Sequence, residues 1–129
     1  MDSVSALRRP DPAAVLENFD RLLRIVDRHD HIALIAEDAG APVGFILVVA
    51  SLPDEVTGED QGFVAYMAVE PRRRGGGIGS ALLGAAEDEA RKLGLPYIAL
   101  MVTEENDAAR ALYDRAGYVT ERRLLCKML

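Results

Sequence analysis

The stretch "AVEPRRRGGGIGSALL", residues 68–83, sets three arginines and four glycines between two apolar runs. Glycine in a helix interior is unfavourable by about 0.5–1 kcal/mol relative to alanine, and neighbouring guanidinium groups repel one another. A strand–turn–helix junction explains why both occur here. "GFVAYMAV" before the segment reads as a strand. "IGSALLGAAEDEARKL" after it reads as an amphipathic helix, with Ile78, Leu82, Ala86, Ala90 and Leu93 on one face. The first turn of a helix has amides without intrahelical partners and the positive end of the dipole. Glycines leave those amides uncovered and permit positive φ, and arginines beside them add charge-assisted hydrogen bonds. "RRRGGGIGS" therefore reads as a cradle for a diphosphate. The alternative is a flexible glycine connector flanked by solvated arginines.

Two common phosphate-binding patterns do not fit. A P-loop requires a lysine after its glycines, and none follows here. The dinucleotide pattern G-x-G-x-x-G fails from Gly75, whose sixth position is Ser80, and from Gly77, where it is Leu82.

Outward from the junction, the rest of the chain reads as alternating strands and helices. "DPAAVLENFDRLLRIVDRH" is predicted as a helix capped by Asp11, with Pro12 in its first turn. Val15, Leu16, Phe19, Leu22, Leu23 and Val26 would be its buried face. "HIALIAE" and "VGFILVVAS" read as a hairpin joined by "DAGAP". "LPDEVTGEDQ" reads as an acidic loop before the third strand. Gly94 and Pro96 end the helix that begins at Ile78. "YIALMVT" is predicted as a fourth, central strand. "NDAARALYDRA" is a short helix capped by Asn106 and ended by Gly117, and "YVTERRLLCKML" a closing strand.

The 129 residues suit one domain. The net charge of −6 disfavours general nucleic-acid binding. No apolar run approaches the roughly 20 residues of a membrane span, and the first residues lack the apolar core of a secretory signal; a cytoplasmic protein is expected. The single cysteine, Cys126, excludes an internal disulfide and a multi-cysteine metal site, and is expected to be a buried apolar residue. No metal site is expected.

Two signatures carry a resemblance. The first follows a strand ending Val69-Glu70-Pro71 and runs Arg74, Gly75, Gly76, Gly77, Ile78, Gly79, matching [Q/R]-x-x-G-x-[G/A]. The second is Asn106, Ala109, Leu112, Tyr113, Gly117, Tyr118, matching N-x-x-A-x-x-[L/F]-Y-x-x-x-G-[F/Y]. Together, over residues 31–129, they make the chain resemble the GNAT superfamily of acetyl-coenzyme A-dependent N-acetyltransferases. The resemblance implies a mixed α/β fold: a twisted, mostly antiparallel sheet with helices on both faces and a splayed parallel strand pair formed by "GFVAYMAV" and "YIALMVT". It implies that the pantetheine arm pairs with backbone of Met67, Ala68 and Val69 like an added strand. The diphosphate would rest on amides from Arg74 through Ser80. The family's first strand has no clear counterpart before Asp11, where "SVSALRR" is short.

Acetyl transfer to an amine needs a neutral amine, donors for the developing oxyanion and a proton for the leaving thiolate. The resemblance places the acid at Tyr113, a phenol protonated at neutral pH. Asn106, two turns earlier, would bond the pantetheine arm, and a backbone N–H near Val69 would serve the oxyanion. Otherwise Tyr113 would be a core aromatic beside Ala109 and Ala116. No base is assigned: "AYMAV" holds no carboxylate, Met101 stands where some relatives have glutamate, Glu104 and Glu105 also suit a solvated strand end, and Glu70 is expected to pair with the arginines. His31 is expected to face solvent. The acceptor would be a primary amine of a small molecule or of a protein or peptide, and the acidic residues 53–60 either attract a cationic acceptor or are simply solvated. A non-catalytic acyl-coenzyme A sensor and a nucleotide-binding module are the competing readings. Leu124, Leu125, Met128 and Leu129 would serve a homodimer or fill the core.

Overall fold

The structure is a computed structural model of the chain. It describes residues 30–129 and, before them, residues 13, 17, 18, 20, 21 and 24, all helical. The caps and apolar face expected for the first helix, and the segment before Asp11, lie outside the described residues. The chain divides into two compact units, Phe19–Met101 and Met1–Asn18 with Val102–Leu129.

The larger unit is built on a four-stranded sheet in the order β1-β2-β3-β4. Strands β1 (His31–Asp38) and β2 (Ala41–Pro53) form the expected hairpin. Its turn has two residues, Ala39 at φ 51° and Gly40 at φ 80°, the positive-φ pair whose twist matches that of the strands it joins. Strand β3 (Asp60–Val69) is antiparallel to β2, and β4 (Ile98–Ala99) is parallel to β3. This is the mixed α/β architecture expected.

Strand β2 is buried on both faces, which is why its sequence is an unbroken apolar run. Helix α1 (Ile78–Lys92) packs against β1, β2 and β3. Its Leu82, Leu83, Ala86 and Ala90 are buried, as are Ile46 and Val48 of the sheet. Leu47 and Val49 form a separate buried cluster with Leu52 and Ala65. Burying one such Leu or Val side chain is worth about 1.5–3 kcal/mol. Leu93, expected on the buried face of the helix, is its C-cap and 58% exposed. Beyond it, Gly94 donates to the Arg91 carbonyl and Leu95 to that of Ala90, at 3.0 and 3.1 Å, closing the helix with a Schellman motif.

The acidic loop is shorter than expected because β2 runs on to Pro53. The Asp54 carboxylate accepts the amides of Val56 and Thr57, at 3.0 and 2.7 Å, and the Thr57 hydroxyl at 3.0 Å. These bonds make residues 54–59 a tight turn.

Two strand expectations need correction. The segment 97–103 is a strand only at Ile98–Ala99, and it lies at the sheet's edge. Residues 118–129 carry no strand assignment, and Val119, Leu124, Leu125, Met128 and Leu129 are exposed. A strand exists only where a neighbour completes its ladder, and apolar composition alone does not provide one. The four apolar residues are therefore not core, and Cys126 is exposed instead of buried.

In the smaller unit, helix α2 (Asp107–Arg115) begins where expected. Asn106 Oδ1 accepts the Ala109 amide at 3.2 Å as its N-cap, and Gly117 at φ 92° follows its end. Among the described residues no helix is long and apolar enough to cross a membrane.

Candidate functional site

The junction from Val69 to Ser80 belongs wholly to the larger unit. Glu70 donates its amide to the Val43 carbonyl at 2.8 Å, which ends β3 beside β2. Pro71–Arg73 then form one 3₁₀ turn, with the Arg73 amide donating to the Glu70 carbonyl at 2.8 Å. Gly75 and Gly77 follow at φ 84° and 86°, left-handed values that only glycine adopts readily. Gly77 is the N-cap of α1, and its carbonyl accepts the Ala81 amide at 3.0 Å.

This backbone path leaves a row of amides facing outward. Those of Ile78, Gly79 and Ser80 are the helix's first turn and have no intrahelical acceptor. No side chain caps them. A Cβ built on Gly75 or Gly77 meets nothing within 4 Å, so the space over the turn is open. Two amides of the expected cradle are used differently: Gly76 donates to the Arg73 carbonyl at 3.3 Å and Arg74 to that of Pro71 at 3.5 Å. Uncovered amides at the positive end of a 15-residue helix, with open space before them, fit an anionic group.

Alongside the turn runs the exposed edge of β3. Strand β4 pairs only with Gly62 and Phe63. From Val64 to Val69, Met67, Ala68 and Val69 included, that edge has no strand beside it among the described residues. The parallel pairing thus stops at Phe63 and Ala99, and the open backbone of β3 beyond it leads to the helix N-terminus. Tyr66 on this strand stacks on Phe45 of β2, ring centroids 5.3 Å apart and planes 4° apart.

The arginines do not pair as expected. Arg73 Nη1 donates to Asp38, across the hairpin turn, and the Glu70 carboxylate makes no ion pair among the described residues. With both partners about half-exposed, the pair is worth at most about 1 kcal/mol. No local signal could have found it, because 35 residues separate the two. An open cleft of about 670 Å³ lies here, between Ala36–Asp38 and Arg72–Gly76, floored by Val43, Ile78 and Ala81.

Close packing beneath the turn depends on Gly44. A Cβ there would lie 2.9 Å from the Ala68 carbonyl, 3.2 Å from Leu82 Cδ1 and 3.3 Å from Ile78 Cγ2. A lone glycine inside an apolar strand was the available sequence signal for this approach.

Asn106 and Tyr113 share α2 in the other unit. With Oδ1 committed to the cap, Asn106 keeps its Nδ2 donors, which have no partner among the described residues. The Tyr113 ring meets Tyr118 edge-on, centroids 5.9 Å apart. Burial raises the Tyr113 phenol above its ordinary pKa, because desolvation disfavours the phenolate. Glu104 pairs with Arg110 at 3.5 Å and is 85% exposed on its side chain, a solvated helix approach. Met101 and His31 are exposed.

These features fit what comparison with known proteins finds. Residues 2–118 match the acetyltransferase (GNAT) family, and the chain belongs to it. It is 33% identical over 96 residues to acetyltransferase YE1169 of Yersinia enterocolitica, covering 72% of this chain and 62% of that protein's length. Among solved structures, it superposes on a ribosomal-protein-alanine N-acetyltransferase from Brucella melitensis with a TM-score of 0.68 and 28% identity, over 96% of this chain and 82% of that one. It also shares the fold of aminoglycoside N-acetyltransferase AAC(6')-Iy in complex with coenzyme A. That match has a TM-score of 0.70 and 20% identity, over 94% of this chain and 97% of the other.

Proposed function

We propose that this chain is an acetyl-CoA-dependent N-acetyltransferase acting on a primary amine, carried by a small molecule or by a protein or peptide. The observation that carries the reading is the row of uncovered amides at the N-terminus of α1, set beside the open edge of β3. The amides of Gly75, Gly77, Ile78, Gly79 and Ser80 hold the diphosphate, while Arg74 and Gly76 shape the turn through their bonds to Pro71 and Arg73. Backbone of Met67, Ala68 and Val69 takes the pantetheine arm as an added strand. Asn106 donates to that arm through Nδ2.

Acetyl-CoA supplies a thioester carbonyl. The neutral amine nitrogen attacks it, the C–N bond forms, the C–S bond breaks, the sulfur leaves with the bonding pair, and the nitrogen gives up its surplus proton through water to solvent. Tyr113 donates the proton that neutralises the thiolate. Its raised pKa suits it to that role, since the donor form persists throughout the neutral range. A backbone N–H near Val69 serves the oxyanion.

The relatives include a ribosomal-protein-alanine and an aminoglycoside N-acetyltransferase, which supports an amine acceptor and leaves both acceptor classes open. The test is free-thiol release from acetyl-CoA against a panel of polyamines, aminoglycosides and peptides with free N-termini. Amine-dependent release is expected. Binding of coenzyme A without release for any amine would make the chain a non-catalytic acyl-coenzyme A module.

A further inference from the structure

An amine that attacks a thioester lying on β3 must rest its own carbon skeleton near that strand. We infer that the stripe formed by Ile35, Phe45 and Tyr66 is the surface it rests on, and that this stripe selects a small monoamine carrying an apolar group, an aromatic ring above all. This inference rests on the acetyl-CoA reading above and narrows its acceptor.

The stripe lies on the face of the sheet away from α1. Strand β2 is regular from Gly44 to Val49, so its side chains alternate. Gly44 abuts Ile78 and Leu82 of α1, which puts Ile46 and Val48 on the helix's face and Phe45, Leu47 and Val49 on the other. Directly opposed residues of antiparallel neighbours share a face, so Ile35, paired with Phe45, lies there too. Tyr66 reaches this face only through a bulge. Val64 is opposite Val48 and Tyr66 is opposite Leu47, which leaves Ala65 as an extra residue. Without it Tyr66, two residues after Val64, would point toward α1. Bulges re-aim side chains in this way beside functional sites.

Helix α1 fills its own face of the sheet with Leu82, Leu83, Ala86 and Ala90. Within the larger unit, an acceptor reaching a thioester on the Met67–Val69 edge therefore comes from the other face. The stripe begins at that edge. Tyr66 adjoins Met67, and Ala68 is opposite Phe45, its methyl group leaving the floor low beside the reacting carbonyl.

The chemistry of the stripe is apolar. Phe45 and Tyr66 stack with planes 4° apart and centroids 5.3 Å apart, an offset pair that presents one continuous ring surface. Tyr66 is 41% exposed and Ile35 66%. Apolar side chains left in water across three adjacent strands mark a surface for an apolar ligand. Charge points the same way. On this face Ala33 and Ile35 of β1, Phe45, Leu47 and Val49 of β2, and Ala65, Tyr66 and Ala68 of β3 include no carboxylate. A polyamine or aminoglycoside would bring several ammonium groups to a surface with nothing to pair them, at the expense of their hydration. A monoamine gives up its one charge before it attacks, and its apolar group is buried on the rings.

The experiment measures kcat/KM, by free-thiol release from acetyl-CoA, for 2-phenylethylamine, ethylamine and spermidine. It uses the full chain and its Tyr66→Ala, Tyr66→Phe and Ile35→Ser variants, with thermal melts to confirm folding. The native chain is expected to prefer 2-phenylethylamine to ethylamine by about 10- to 100-fold, the fold-change that burying one aromatic ring brings, and to use spermidine no better than ethylamine. Tyr66→Ala should cut that preference by about fivefold or more, Ile35→Ser by about two- to threefold, and Tyr66→Phe should keep it, with KM for acetyl-CoA changed by less than about threefold throughout. Equal kcat/KM for 2-phenylethylamine and ethylamine, or a preference for spermidine, overturns the inference and leaves the acetyl-CoA reading intact. So does a preference unchanged in Tyr66→Ala (in Ile35→Ser, if Tyr66→Ala does not fold) or lost in Tyr66→Phe. Release with no amine at all, the wider panel included, overturns that reading and this inference together.

Discussion

Gly44 lies directly beneath the Ala68 carbonyl, so close that a Cβ would sit 2.9 Å from its oxygen. The same Cβ would press on Leu82 and Ile78, where α1 begins. This contact sets the height of the helix N-terminus over the sheet. Gly44→Ala is expected to destabilise the protein by about 1–3 kcal/mol, the usual range for overpacking, and to weaken coenzyme A binding because Ile78 opens the cradle. Urea unfolding and a binding titration check the two parts; native stability with native affinity would show that the site tolerates the methyl group.

At Gly77 the expected effect is on binding more than on folding. The space over the turn is open, so Gly77→Glu fits sterically apart from its φ of 86°, which costs about 1–2 kcal/mol for a non-glycine residue. Its carboxylate would meet the diphosphate. Coenzyme A affinity should fall below detection in calorimetry while the circular dichroism of the folded chain persists.

Tyr113→Phe removes the proposed proton donor and keeps the edge-on contact with Tyr118. It should lower kcat by about 100-fold or more and change KM for acetyl-CoA by less than about threefold. The pH dependence has a definite sign. Burial raises the phenol's pKa, so the donor form persists as pH rises through the neutral range and is lost only above the ordinary value near 10. A steady-state pH profile should therefore show no alkaline fall attributable to Tyr113 between pH 7 and about 9.5.

The hairpin turn offers a stabilising change. Ala39 holds φ 51° before Gly40, a conformation in which alanine is strained and asparagine is favoured. Ala39→Asn should raise stability by about 0.5–1 kcal/mol, seen as a higher urea midpoint with an unchanged slope.

How much of this was legible in the sequence follows from how local each feature is. The apolar run of β2, the glycine–arginine junction and the Asn106 cap are written in consecutive residues, and each forms where expected. The Asn-to-Gly limits of α2 likewise come from cap chemistry within one turn. By contrast, 97–103 and 118–129 have strand-like composition but take strand hydrogen bonds only at Ile98–Ala99, because pairing is conferred by a distant neighbour. Glu70 looked like the partner of the arginines since it adjoins them, whereas the hairpin brings Asp38 to Arg73 from 35 residues away. The cleft they border is likewise a product of tertiary placement, with no pattern in any one segment.

In the proposed function, the main chain opening α1 grips a diphosphate. Titrating the ¹⁵N-labelled chain with coenzyme A and following its amide resonances tests this at single residues. Saturable, large downfield amide-proton shifts are predicted for Gly75, Gly77, Ile78, Gly79 and Ser80, with smaller ones for Arg74 and Gly76, whose amides are already bonded within the turn. Unmoved resonances at Gly77 to Ser80, with saturable shifts elsewhere in the chain, would contradict it.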